Sequence, residues 1–250
     1  MPEHALGKTV AIVQARLGSS RLPMKSLLCL HGYPIIDWVT QRLSTSRLLD
    51  KIIVATPDTP MDAVLREHLR SRNIAAMSGS ENDVLSRFCD AARLTQADTV
   101  VRVCADNPLI WGEAIDRLLL FYAVTRCDYA YNHIPRNNLW PDGLGAEVLS
   151  AKLLFELEQK AETASQREHC LNYIWDNADQ FRIATFDPEE PALRRPDIKL
   201  DVDTPQDFAR LALAPLRIDM RADEVVQIMG RPAEEPEPAG RNPAAYRHPA

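Results

Sequence analysis

The chain has 250 residues, 46% of them hydrophobic and 26% charged, a balance that suits one soluble α/β domain with a core needing no disulfide or metal staple. Its formal charge of −6, from 29 basic and 35 acidic side chains, argues against a nucleic-acid binder, whose footprint would be basic. The five scattered cysteines (Cys29, Cys89, Cys104, Cys127, Cys170) form no C-x-x-C pair, and no stretch approaches a signal peptide or the roughly 20 apolar residues of a membrane span, so reduced thiols, no membrane and a cytoplasmic setting are expected.

In chain order, Val10 to Ala15 is a short apolar run closed by a Gly/Ser loop, which predicts a buried strand. A helix is expected over 35–48, strands over 51–55 and 74–77, helices over 61–72 and 81–95, and a strand over 99–104. Short β-rich runs alternating with helices predict an α/β fold, a mostly parallel central sheet with helices on both faces. From Tyr129 to Val148 the chain is rich in Pro, Asn, Gly and aromatics, which suits a loop or hairpin extension. Tyr131 and Trp140 are expected to pack within it or at a dimer interface. Helices over 152–160 and 166–177, strands over 181–186 and 198–202, and a helix over 206–212 follow, the last with Pro205 in its first turn and Thr204 or Asp203 as cap. Residues 1–230 read as one domain, with 129–180 as an acceptor or dimerisation extension inside it. Residues 231–250, almost all Pro, Ala, Glu and Arg among few apolar side chains, read as a disordered tail. Arg-Glu-His occurs at Arg66 to His68 and again at Arg167 to His169; the first copy is expected on the polar face of a surface helix, a coincidence of sequence.

The loop from Ala15 to Lys25 (ARLGSSRLPMK) carries most of the chemistry. It follows the first strand, at the carboxyl edge where open α/β sheets bind ligands. Gly18, Ser19 and Ser20 allow backbone N–H groups to approach phosphate, and Arg16, Arg21 and Lys25 bring three cations. Spacing alone leaves a solvated basic turn equally open, and no G-x-x-x-x-G-K-[ST] loop is present. Asp106, in Cys104-Ala105-Asp106-Asn107-Pro108-Leu109, ends a buried strand, and Asp203, in Asp201-Val202-Asp203-Thr204-Pro205, ends another. Magnesium accepts one or two carboxylates completed by phosphate and water, so this pair suffices for Mg2+; taken singly, each Asp is more often a cap or turn residue.

Residues 9–43 resemble the opening of the cytidylyltransferases that activate acidic sugars, with their A-R-x-x-S-x-R-L-P-x-K pattern. The chain is most similar to the branch named for spore-coat polysaccharide biosynthesis protein F. It shares Q-A-R in the first loop, D-V-L-x-R after a Gly-Ser loop (Ser78-Gly79-Ser80, then Asp83 to Arg87), D-x-P-L, P-D-G-x-x-x-E (Pro141 to Glu147), R-E-H and V-D-T-P-x-D (Val202 to Asp207). The resemblance implies a nucleotide-sugar-type fold that transfers CMP from CTP to an acidic sugar, sugar phosphate or phosphonate and releases pyrophosphate. By the same resemblance Mg2+ lies at Asp106 and Asp203, while Arg16 and Lys25 meet the triphosphate. Ser78, Gly79, Ser80, Asp83 and Arg87 lie on the cytosine side, Glu147, Arg167 and His169 on the acceptor side, and the chain is a homodimer. The chain departs from the family at Met24, where Gly is usual, at Asn107 in place of Cys, and at Cys170-Leu171-Asn172 in place of V-T-P, the latter changes lying where acceptor selection is expected. Transfer from another nucleotide and a non-catalytic nucleotide-binding descendant are the competing readings. Glycosyl transfer is disfavoured, because no second Asp follows Asp106 two residues on.

Overall fold

The structure, a computed structural model, describes residues 6–230; the segment 231–250, expected to be disordered, lies outside the described residues. Strand β1 (Thr9–Gln14) is apolar on both sides because both are covered: Ala11 and Val13 enter one core, Val10 and Ile12 the other. It pairs in parallel with β4 (Lys51–Pro57) and β6 (Thr99–Cys104), and β4 pairs in parallel with β5 (Ala76–Gly79). Beyond β6 lies β8 (Glu147–Ser150), antiparallel both to β6 and to β7 (Tyr129–Tyr131), and β9 (Ile183–Ala184) closes the edge parallel to β7. The sheet order is β5-β4-β1-β6-β8-β7-β9, and a separate hairpin pairs β2 (Cys29–Leu30) with β3 (Tyr33–Pro34). The hairpin turns on His31 and Gly32, whose φ values of 47° and 89° give the left-handed pair a two-residue turn requires.

Helices cover both faces, as the alternating pattern predicts. On one face α1 (Ile35–Leu43), α2 (Ala63–Ser71), α4 (Gly112–Thr125), α8 (Pro205–Leu213) and α9 (Ala222–Met229) pack over Ala11, Val13, Val101 and Val103. On the other, α3 (Val84–Thr95), α5 (Ala151–Lys160) and α7 (Asn172–Asp176) pack over Val10, Ile12, Val100 and Tyr129. No described helix is long and apolar enough to cross a membrane.

Several expected elements differ. The helix over 166–177 is two short ones, α6 (Ala164–Glu168) and α7, because the chain turns at His169 (φ −99°, ψ 73°) to bury Cys170 and Leu171. The strand over 181–186 shrinks to β9, since Phe186 leaves the sheet edge to stack on Phe121 at 4.7 Å and meet Trp140 edge-on. Residues 198–202 form no strand. Their backbone instead joins two loops: Asp142 N–H donates to Ile198 O (2.9 Å), Leu200 N–H to Asp142 O (2.9 Å) and Val202 N–H to Asp106 O (2.8 Å). Helices α4 and α9 and the β2–β3 hairpin carried no expectation. The extension folds inward: Tyr131 and Trp140 are buried, and the Trp140 indole donates to Phe186 O at 2.8 Å. These two aromatics thus fill this chain's own core, while Leu139 of the same extension is exposed. His68 also departs from a free surface position, because its Nε2 lies 2.6 Å from the buried Asp37 carboxylate.

Candidate active site

Strand order reverses at β1, which lies between β4 and β6, and the crevice beyond the carboxyl ends of β1 and β6 is where such sheets bind ligands. A cleft of about 190 Å3 occupies that position, lined by Gln14, Arg16, Ser19, Ser20, Arg21, Lys25, Ser26, Cys104, Ala105, Asp106 and Asp203. The loop after β1 is closed at its base, where Leu17 O accepts from Met24 N–H at 2.9 Å and Leu17 N–H donates to the buried Asp62 at 2.8 Å. It then enters a 3-10 turn at Lys25–Leu27 through Met24, which sits in the left-handed region at φ 62°. The family's usual Gly thus falls on a backbone position that favours glycine.

Three segments distant in sequence meet at Lys25. Its Nζ lies 2.8 Å from Asp106 Oδ2, 3.2 Å from Val202 O and 3.5 Å from Asp203 Oδ1. Arg21 donates to the same Asp203 oxygen at 2.8 Å. Asp106 reaches the cleft because β6 ends two residues earlier, and Asp203 because the capping box of α8 holds its backbone: Asp207 Oδ2 accepts from the N–H groups of Asp203 (3.1 Å) and Thr204 (2.9 Å). The donors of Asp106 and Asp203, all oxygen, fit a hard divalent cation, and the Lys25 ammonium already stands between them as a cation. Among the described residues no three His, Cys, Asp or Glu side chains converge as a metal cage. Phosphate and water would therefore have to complete the shell.

Sequence reading missed the ring behind this pair. Lys199 Nζ lies 2.9 Å from Asp207, 3.4 Å from Asp201 and 3.8 Å from Asp203. Burial, then the neighbouring Asp201 charge, raises Asp142 to about 6, and burial raises Asp201. The signal lay in the alternation of Lys199-Leu200-Asp201-Val202-Asp203: Leu200 and Val202 are buried, which leaves the charged residues on the opposite side. Gln14 and Cys104, register partners at the ends of β1 and β6, were likewise missed.

The other expected residues divide into groups. Ala15 is buried and Gly18 lies open, both outside the cleft lining, although a Cβ on Gly18 would come within 3.8 Å of Glu81, so the loop faces the segment after β5. In that segment Asp83 caps α3 by accepting from Ser86 N–H (2.9 Å), and Ser80 O accepts from Arg87 (2.7 Å). Ser78 and Gly79 belong to β5, where Gly79 O accepts from Asp58 N–H at 2.7 Å. Arg87 is buried, and its Nε and Nη2 have no hydrogen-bond partner among the described residues.

Of the acceptor-side residues, Glu147 is buried, accepts from Tyr129 at 2.5 Å and pairs with Arg102. Burial pushes its carboxyl up, but Arg102, His133 and Tyr129 outweigh this and hold it below the usual range. Arg167 fastens α6 to the α3 cap through Asp83 (3.2 Å) and to Glu158 O (2.9 Å). His169 is exposed, and beside it Glu168, which sequence reading passed over, lies 3.8 Å from Arg16. Burial raises the Cys104 and Cys170 thiols to about 12, so neither supplies a thiolate at neutral pH.

A family model described as cytidylyltransferase matches residues 10–223. Over 201 residues, 80% of either chain, the protein is 36% identical to an uncharacterized protein of Methanocaldococcus jannaschii. It is 28% identical to the spore coat polysaccharide biosynthesis protein SpsF of Bacillus subtilis over 229 residues, 88% of this chain and 93% of that one. A cytidylyltransferase structure from Leptospira borgpetersenii shares the fold, with a TM-score of 0.80 at 24% identity over 91% of this chain and 99% of the other. With a family match running from β1 into α9, and with its acidic pair and basic loop at the sheet's switch point, this chain belongs to the cytidylyltransferase family.

Proposed function

We propose that this protein transfers CMP from CTP to an acidic acceptor, a sugar acid, sugar phosphate or phosphonate, with Mg2+ at Asp106 and Asp203. The observation that carries the reading is the meeting of Asp106 and Asp203 with Lys25 beneath the Arg16–Arg21 loop. An acceptor oxygen attacks the α-phosphorus in line; the new P–O bond forms as the bond to the bridging oxygen breaks and pyrophosphate leaves. Magnesium, when bound, would offset charge on the α-phosphate and orient the acceptor oxygen. Arg16, Arg21 and Lys25 hold the triphosphate and stabilise the departing pyrophosphate, so positioning and electrostatics supply most of the rate. A phosphate or phosphonate nucleophile needs no base. A sugar hydroxyl would lose its proton to solvent once the metal has lowered its pKa.

The segment from Ser78 to Asp83 takes the cytosine side, and Arg87 supports it from below. An acidic acceptor also suits Arg87 and Arg102, whose side chains keep buried N–H groups without hydrogen-bond partners among the described residues. His169, exposed at the turn after α6, is the acceptor contact; Glu147 and Arg167 shape that side through Arg102 and Asp83.

Steady-state kinetics with each substrate varied tests these roles. Asp106→Asn and Asp203→Asn should each lower turnover about a hundredfold or more, whereas His169→Ala should raise the acceptor KM and leave CTP binding nearly intact. Near-normal turnover of Asp106→Asn, or loss of CTP binding in His169→Ala, overturns the assignment.

A further inference from the structure

Lys25 belongs by sequence to the phosphate loop, yet its ammonium group points at the acidic rim. Its side chain is only 13% exposed, and its three oxygen contacts are Asp106 Oδ2 (2.8 Å), Val202 O (3.2 Å) and Asp203 Oδ1 (3.5 Å). We propose that Lys25 is a placeholder cation: in the free protein it holds the position between Asp106 and Asp203 that a divalent cation must take. The metal then enters only together with a polyphosphate that draws Lys25 away. The inference rests on the proposed use of Asp106 and Asp203 as metal ligands and goes beyond it to the order and coupling of binding.

Geometry and charge support the exchange. Magnesium prefers carboxylate oxygen, so an ion shared by these two carboxylates would have to take the same oxygens that Lys25 Nζ now contacts. The two cations cannot be there together. Lysine suits a displaceable role, because its charge sits on a flexible four-carbon stem and can move without its backbone. That backbone is fixed: Leu27 N–H donates to Met24 O at 2.8 Å and Ser26 Oγ donates to Arg16 O at 3.4 Å. The side chain is therefore the moving part. Arg21, the other cation on the same Asp203 oxygen, is 63% exposed and is free to turn toward solvent or phosphate. A triphosphate brings the negative charge that Lys25 loses on leaving the carboxylates, and the metal restores the positive charge that the carboxylates lose. Each ligand thus removes the obstacle to the other, which is positive coupling in the thermodynamic sense.

The test is direct Mn2+ binding, followed by electron paramagnetic resonance of the free ion and by the shift in melting temperature that Mn2+ produces, with no acceptor present. Lys25→Met and Lys25→Gln should bind Mn2+ at least tenfold more tightly than the parent without nucleotide and bind CTP at least tenfold more weakly. Lys25→Arg, which keeps a cation there, should bind Mn2+ no more tightly than the parent. If the neutral variants are destabilised, Mn2+ should raise their melting temperature by more than it raises the parent's. Equal Mn2+ affinity, within twofold, and equal melting shifts in parent and neutral variants overturn the placeholder role. That result leaves the proposed function standing if Asp106→Asn abolishes Mn2+ binding in the presence of CTP. Mn2+ binding that ignores Asp106→Asn and Asp203→Asn would instead overturn the metal assignment itself.

Discussion

Met24 holds φ at 62° with a side chain 38% exposed, so it carries the cost of a left-handed conformation with little burial in return. For a residue with a Cβ that cost is roughly 1–2 kcal/mol, offset by up to about 1 kcal/mol of extra unfolded-state entropy that a Gly would introduce. Met24→Gly should therefore leave stability unchanged or raise it by up to about 1 kcal/mol, and leave CTP affinity equal or tighter. Chemical denaturation and calorimetry check both, and a clear loss of CTP binding would mean the loop is built around the methionine side chain. Asp142 lends itself to a pH test. With its carboxyl at about 6 in the fold against an ordinary 3.8, stability associated with it is present below about pH 4 and lost as pH rises through 6. Above that the ionised group costs up to roughly 3 kcal/mol, less whatever solvent screening removes. Asp142→Asn should raise the melting temperature at pH 8 and leave it unchanged at pH 4; equal effects at both would contradict this. At this scale the sequence displayed Arg16, Lys25, Asp106 and Asp203, because each follows a strand or a strand-like run. Asp142 and Glu168 stood inside the P-D-G and R-E-H motifs without a role, because their places depend on how the extension folds back.

Among the elements, the segment leading into α8 does most to place the site. One oxygen, Asp207 Oδ2, accepts from Asp203 N–H, Thr204 N–H, Thr204 Oγ1 and Lys199 Nζ, all between 2.9 and 3.1 Å. Although burial works against ionisation, these bonds, Lys199 first, hold its carboxyl down to about 2; the stability it supplies is present above pH 4 and lost as pH falls through 2. Asp207→Ala leaves several polar groups unsatisfied and should cost about 2 kcal/mol at neutral pH. It should also lower kcat, because Asp203 loses its backbone anchor, with Asp207→Asn falling between. An unchanged kcat in a destabilised Asp207→Ala protein would show that Asp203 needs no such support. The α8 cap was legible from Thr204 and Pro205, with Asp203 as the other candidate, but the part of Asp207 in the capping box was not. The missing strand at 198–202 was not, because its apolar alternation matches a strand while its partners are the loops at Asp106 and Asp142 rather than a ladder. The break between α6 and α7 escaped for a related reason: burial of Cys170 and Leu171 overrides helical spacing.

With the family resemblance supplying the site at its carboxyl edge, the parallel sheet and its two helical faces follow, for the whole molecule, from alternating periodicity. The antiparallel half does not, since β7, β8 and β9 are short and their pairing is fixed by distant contacts such as Arg102 with Glu147. The extension's apolar character was visible and its destination was not: Tyr131, Trp140 and Leu144 fill this chain's own core. The same fold brings the phosphate loop, Asp106 and Asp203 to one cleft, and the central claim is that CTP is cleaved there between its α- and β-phosphorus. Phosphorus NMR of the purified protein with CTP, Mg2+ and a panel of sugar acids, sugar phosphates and phosphonates tests this most directly. Pyrophosphate should appear in step with a new CMP diester or mixed-anhydride resonance for at least one acceptor, stop on addition of a chelator, and be slower with ATP, GTP or UTP. Release of a nucleoside diphosphate in place of pyrophosphate, or faster turnover with another nucleotide, would contradict the account.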